Sequence, residues 1–485
     1  MSDSLLVSMA LVLPWCGAVF IALLGRYPNL REAVTLLTAA GLFGSVCALY
    51  PAVSAGERPV ASVGEVLPGL WLAFEVEPLG MLFALVASSL WILTSLYSIG
   101  YMRAHREEHQ TRFYTYFAIA LAATIGVAFS ANAFSLFIFY EVLTLSTYPL
   151  VTHAGTEEAK RAGRVYLGIL LATSIGLLLL GLVWTWSIAG TLDFTSGGVI
   201  PDQTSESLVA GLLALYVFGV GKAAIMPFHR WLPAAMVAPT PVSALLHAVA
   251  VVKAGVFSIL KIAIYLFGID SLGQLEGVGP LAYVAAATML IASVVALRKD
   301  NLKIRLAYST ISQLSYIVLG TLLANGKAVI GAGMHIAMHA FGKITLFFCA
   351  GAIFVATHKT TVSEMQGLGR TMPITMGAFF VASLCIVGLP PTGGLWSKWF
   401  LGLGTLDAGH FAFLVVLMLS SVLSVAYLLP IPIKGFFGAP GSDGAKTAIR
   451  EAPIACLIAL VATSLGCVAL FVFPQPVYEL MRLVV

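Results

Sequence analysis

The 485-residue sequence predicts an all-α, polytopic membrane protein of about 14 transmembrane helices, two of them broken. Three observations predict this. Hydrophobic residues make up 59% of the chain and charged residues 10%, whereas a soluble domain carries roughly 25% charged residues. Apolar windows of about 20 residues, the length that crosses a bilayer core, recur from end to end. Basic residues are also distributed unevenly among the connections between those windows.

The windows place spans near 4–25, 33–51, 79–101, 112–130, 132–152, 164–189, 208–227, 241–267, 278–297, 304–324, 328–356, 373–400, 410–437 and 452–473. The first is read as a true span and not a secretory signal. Asp3 precedes it, no basic residue does, and no small-residue cleavage site follows. Alternate loops should lie on opposite sides, with Lys and Arg favouring the cytoplasm. One set of loops holds Arg26, Arg31, Arg103, Arg106, Arg112, Lys160, Arg161, Arg164, Arg230, Arg298, Lys299, Lys303, Arg305, Lys359, Arg370, Lys434, Lys446 and Arg450, which is 18 of the 26 basic residues. The other set holds Arg58, Lys327 and Arg482. A missed or extra span would scramble this split downstream, so it supports both the count and an orientation with both termini outside.

The net charge of +4 is spread over short loops, which argues against nucleic acid. The six cysteines all stand in apolar stretches without a CxxC pair, and are read as small core residues. No cofactor is expected: there is no cysteine cluster, no GxGxxG after a strand and no flavin signature. Five lysines and one glutamate remain inside apolar spans: Lys222, Lys253, Lys261, Lys343, Lys398 and Glu141. Each costs at least about 2.5 kcal/mol at the bilayer centre. A membrane scaffold without transport function has little reason to carry them.

Glu141 lies on the fifth span, in SLFIFYEVLTLSTYPL. It either pins two helices through local hydrogen bonds or pairs with a proton-carrying lysine. Lys222 lies on the seventh, in VGKAAIMPFHRWLP, where Pro227 opens the helix. Such a break at membrane depth is tolerated where it lines a hydrated or protein-buried cavity. A lysine there can switch between charged and neutral as a carboxylate approaches or leaves. On the eighth span, His247 and Lys253 stand six residues apart. Lys253 is mid-span, whereas Lys261 is expected to snorkel to the outer interface. His247 reads equally as a core histidine.

On the eleventh span, His335, His339 and Lys343 recur at i, i+4 and i+8 in GMHIAMHAFGKITLFF, which puts all three on one helical face. Histidine titrates near neutral pH and suits a proton relay. A zinc site is set aside, because no HExxH glutamate or further ligand stands nearby. The twelfth span, CIVGLPPTGGLWSKWF, is broken at Pro390 and Pro391 and then carries Lys398. Two interrupted spans in corresponding positions imply internal repeats, about spans 4–8 and 9–13, with an ion path at the midplane. The proline-rich connection HRWLPAAMVAPTPVS is expected to cap an ion funnel rigidly.

PFHRWLPAAMVAPTPVSALLHAVAVVKAGVF resembles the signature of the antiporter-like membrane subunits of respiratory complex I, membrane-bound hydrogenases and Mrp-type Na+/H+ antiporters. FYEVLTLSTYPLV, GMHIAMHAFGKITLFFCAG and GLPPTGGLWSKWF resemble the same family in order, over roughly residues 75–440. The resemblance implies a fourteen-helix core with two inverted five-helix repeats. Residues 1–110 would hold spans 1–3, 111–270 the first repeat, 271–440 the second and 441–485 span 14. It further implies that Glu141 and Lys222 are partners, that Lys253, His335, His339 and Lys343 form a central polar axis, and that Lys398 ends it. A glutamate stands at that last position in some complex I members. The lysine here and the short C-terminus therefore resemble the D-type member of the Mrp antiporters.

The function so implied is proton translocation within a multisubunit Na+/K+:proton antiporter of a bacterial or archaeal cytoplasmic membrane, a transporter subunit and not itself an enzyme. Lysines suit H+ better than Na+, which takes oxygen ligands. The alternatives are a proton-pumping subunit of complex I or a hydrogenase, and a stand-alone secondary transporter.

Overall fold

The computed structural model describes residues 2–245, 249–275, 278–438 and 448–485. His247 and Lys446 lie outside the described residues. Six helices open the chain: α1 (Asp3–Leu23), α2 (Pro28–Ser54), α3 (Pro78–Ala104), α4 (Gln110–Ala128), α5 (Ala133–Val151) and α6 (Glu157–Ala189). They are followed by α7 (Glu206–Gly219), α8 (Val251–Ile262), α9 (Gly279–Arg298), α10 (Leu302–Leu322) and α11 (Gly326–Thr357). The chain ends with α12 (Pro373–Val387), α13 (Gly394–Asp407), α14 (Phe411–Phe437), α15 (Ile454–Val472) and α16 (Gln475–Arg482).

Among the described residues, ten helices are long and apolar enough to cross a membrane: α1–α6, α9, α11, α14 and α15. The four other expected spans lack a continuous apolar stretch of that length. Three are interrupted, and α10 carries polar residues along most of its length. The chain is an all-α polytopic membrane protein. Its apolar and polar residues are distributed inside out relative to a soluble domain. Phe411, Val415, Met418 and Val422 of α14 and Ile454, Ile458 and Leu465 of α15 are exposed, as lipid contact requires, while the lysines are buried. The long helix α11 is the hub, packing against α3, α8, α10, α12, α13 and α15.

Caps start several helices where the sequence supplies a short polar side chain. Asn132 accepts from Ser135 N for α5, Thr156 from Ala159 N for α6, and Asn301 from Ile304 N for α10. The Thr156 cap explains why α6 begins at Glu157 and not near 164 as expected: its first two turns carry Lys160, Arg161 and Arg164 out of the apolar layer.

The loop after α2 forms an antiparallel hairpin, β1 (Val60–Leu67) and β2 (Leu70–Glu75), turned by Pro68-Gly69 with Gly69 at φ +79°. The expectation of a purely helical chain missed it. Of the eighth span's described residues, Thr240–Ala244 form a short helix and Val251–Ile262 form α8, with Ala250 a bend just ahead of α8.

Candidate functional site

The two expected breaks exist, and each sits beside a lysine. α7 ends at Gly219, and the chain passes through a single 3-10 turn, Gly221–Ala223, with Ala224 at φ +55°. The helix therefore ends before Pro227, and Lys222 stands within the break, not on the helix leading to it. Trp231 repays the opened backbone by donating from Nε1 to Gly221 O at 3.0 Å. Gly255 lets α8 press against this turn, since a Cβ there would collide with Ala223 N and the Lys222 carbonyl carbon.

The second break runs from Gly388, at φ +90°, to Gly393, and contains Pro390 and Pro391. Lys398 reaches back across it from α13. Its Nζ donates to Ile386 O at 2.9 Å and Val387 O at 3.1 Å, the free C-terminal carbonyls of α12. A cation belongs at that negative helix end.

The structure brings Lys222 to Glu141's helix without an ion pair. The Lys222 ammonium donates to Tyr140 O at 2.8 Å and to Thr144 Oγ1, and lies over the Tyr140 ring, 3.1 Å from its centroid. Tyr140 OH accepts from Lys222 N. Glu141 is one residue round the helix and coupled to Lys222 by charge, yet both its carboxylate oxygens are buried and make no hydrogen bond among the described residues. A buried carboxylate without a partner is costly.

The central axis is continuous from α8 to α13. Lys253 Nζ and His339 Nδ1 are hydrogen-bonded, and the His339 and His335 rings stack with centroids 5.7 Å apart. His335 Nδ1 meets Ser397 Oγ at 2.9 Å, and its ring stacks on Tyr316 at 5.5 Å. Lys398 Nζ lies 4.6 Å from the Tyr316 ring centroid and donates to Ser421 Oγ at 3.0 Å. Lys343 shares the histidine helix but turns toward α10, donating to Ser309 Oγ at 2.6 Å. Lys253, Lys343, His335 and Lys398 are within electrostatic reach, and among the described residues no carboxylate is ion-paired to any of the three lysines. A proton added to one therefore disfavours protons on the others.

The expectation for Lys261 is overturned. It does not snorkel: it is fully buried, and Nζ pairs with Glu77 Oε1 at 3.0 Å. Glu77 also caps α3, accepting from Leu79 N and Gly80 N, and accepts from Tyr265 OH at 3.2 Å. A π-helical turn, Ala263–Phe267, carries Tyr265 there. Glu77 sits just outside the apolar window at 79–101, so hydropathy alone does not single it out. Its place just before Pro78, a helix-start signal, was the available clue.

On the basic-loop side, the proline-rich connection borders an open cavity of about 730 Å³, lined in part by Pro233, Pro239, Thr240, Lys303, Glu107 and Arg161.

A polytopic helical protein with broken helices, buried lysines and a stacked histidine pair is an ion-translocating membrane subunit in form. The family described as "NADH:quinone oxidoreductase/Mrp antiporter, TM" matches residues 130–424, and "NADH-Ubiquinone oxidoreductase (complex I), chain 5 N-terminus" matches 69–114. NADH-quinone oxidoreductase subunit N of Desulforudis audaxviator is 32% identical over 97% of this chain and 96% of its own. NAD(P)H-quinone oxidoreductase chain 5 of a Synechocystis species is 32% identical over 68% of this chain, which spans only 49% of that longer protein. A chain of the Mrp complex from a Dietzia species superposes with TM-score 0.87 at 24% identity, over 100% of this chain and 97% of that one. A chain of an archaeal membrane-bound sulfane sulfur reductase does so with TM-score 0.87 at 24% identity, over 99% and 97%. The chain belongs to the NADH:quinone oxidoreductase/Mrp antiporter family of membrane subunits.

Proposed function

We propose that this chain is the proton-translocating subunit of a multisubunit monovalent cation:proton antiporter, in a bacterial or archaeal cytoplasmic membrane with both termini outside. The observation that carries the reading is the run of contacts Lys253–His339–His335, continued by Tyr316 and Ser397 to Lys398. Spans 4–8 and 9–13 act as two inverted repeats, each contributing one broken helix. A proton from one side loads Lys222, which exchanges between its Tyr140–Thr144 seat and Glu141. The proton passes to Lys253, along the histidines and to Lys398. The seam consists of ammonium, imidazole and hydroxyl groups, which suit H+, so Na+ or K+ would cross on a partner subunit.

A second reading, a redox-driven pump, is favoured by the full-length likeness to the Desulforudis audaxviator oxidoreductase subunit. Purification of the intact complex with this chain tagged separates the two. The antiporter reading expects co-purifying membrane subunits without flavin or iron–sulfur centres, and Na+- or K+-dependent proton movement in inverted vesicles without a reductant. Proton movement that requires a reductant and ignores both cations would overturn it.

A further inference from the structure

The interface between α10 and α14 holds a file of hydroxyl groups that meets the lysine–histidine seam only at its Tyr316–Ser421 end. At one end, Arg305, half-buried near the start of α10, donates to Tyr427 O at 3.1 Å. One turn further on, Ser309 Oγ accepts from Lys343 and meets Tyr427 OH at 2.9 Å, and Tyr427 OH meets Ser424 Oγ at 2.9 Å. At the next level Ser420, Ser312 and Ser293 form a closed triangle, with edges of 3.1, 3.2 and 2.8 Å. At the last level, Ser421 Oγ accepts from Lys398 at 3.0 Å and meets Tyr316 OH at 3.2 Å. Every one of these hydroxyls except Ser421 is fully or almost fully buried.

One further group lies in the file. Gln313 is on the same face of α10 as Ser309 and Tyr316, at i, i+4 and i+7. It is completely buried and stands beside the Tyr316 phenol. Neither its amide oxygen nor its amide nitrogen makes a hydrogen bond of ordinary geometry among the described residues. A buried amide left so costs about 1–3 kcal/mol, so packing alone gives no reason for a glutamine there. It does have a reason if a chain of exchangeable protons passes through it, because an amide both donates and accepts and can bridge neighbouring hydroxyls directly or through water.

We propose that the α10–α14 interface is a proton access route running along the membrane normal from the Arg305 end to Lys343 and Lys398, with Gln313 bridging the step between the Ser309–Tyr427 level and the Tyr316–Ser421 level. The inference rests on the reading of Lys253, His339, His335 and Lys398 as a proton seam. It adds where that seam meets the Arg305 face. No bond other than O–H, N–H and hydrogen bonds changes. A proton moves by successive transfer between hydroxyls, and the file resets as each hydroxyl rotates.

The test uses the intact complex in inverted vesicles, with subunit content measured on the same preparation. Gln313→Leu keeps the side-chain bulk and removes the bridge. Tyr427→Phe keeps the ring and removes the hydroxyl. Thr310→Val is the control, since Thr310 is equally buried on α10 but bonds only to Leu306 O of its own helix. Gln313→Leu and Tyr427→Phe should each slow proton movement about tenfold or more. The loss should deepen as the bath on the Arg305 face is made more alkaline, and should not change with pH on the other face. Thr310→Val should transport normally. Should Tyr427→Phe not assemble, Ser309→Ala tests the same level, and Ser309→Thr should restore what Ser309→Ala loses. If the ladder variants assemble and transport at wild-type rates while His339→Gln does not, this inference fails and the seam stands. If His339→Gln is also normal, the seam itself fails. A loss in Thr310→Val equal to that in Gln313→Leu would show that the interface is only packing, and would likewise overturn the route.

Discussion

Glu141 and Lys222 show what a single side chain decides here. The lysine is held by Tyr140 and Thr144 while the carboxylate beside it has no hydrogen-bond partner among the described residues. Glu141→Ala should abolish cation-driven proton movement with normal protein level, and Glu141→Asp should retain part of it because the charge remains. Near-normal transport by the alanine variant, measured in vesicles of matched subunit content, would remove Glu141 from the path. The Glu77–Lys261 pair makes a different prediction. Lys261→Met strands a buried carboxylate and should cost about 3–5 kcal/mol, visible as lost protein level or thermal stability, whereas Glu77→Gln combined with Lys261→Met should recover much of it. Most of the charged site was legible from the residues, because an ionisable group in an apolar window stands out. The hydroxyl file and Gln313 were not, since serines and a glutamine are unremarkable in any one helix. They gain meaning only when α10 and α14 are brought together. Lys261 was misread because its partner comes from a helix start more than 180 residues earlier.

At the level of elements, the breaks organise the site. Windowed hydropathy places most of the helices to within a few residues, the start of α6 excepted, since lipid demands length and apolarity and both are local properties. Where a helix stops inside the bilayer is less local. The seventh span opens at Val220, ahead of its proline, because the Gly221–Ala223 turn is held by Trp231 and seated on Gly255. The bend at Ala250 ahead of α8 has no proline beside it to announce it. Gly255→Ala tests this packing. The added methyl must push α8 off the Lys222 turn, at a cost of about 1–3 kcal/mol. Transport should fall even though no titratable group has changed. Wild-type transport by a fully assembled Gly255→Ala complex would mean that the turn is free to move and that its seat on α8 has no part in positioning Lys222.

For the whole molecule, the unequal division of basic residues predicts where its ends lie. A tag after Val485 should be cleaved by protease added to intact cells whose outer membrane has been opened, and protection of the tag would contradict the orientation or the span count. Within that frame, α11 gathers both halves around one polar line, with α8 delivering Lys253 to His339 and α13 presenting Ser397 and Lys398 to His335. The central claim is that this line carries protons and is not merely packing. Its most direct test is His339→Gln, which keeps size and hydrogen bonding but does not titrate near neutral pH. Lys343→Met is its companion. Proton movement is followed in inverted vesicles with the complex quantified on the same preparation. We predict that the His339→Gln complex assembles and that its transport falls about tenfold or more. Assembly together with wild-type rates in both variants, across about pH 6 to 9 where an imidazole changes charge, would contradict the account.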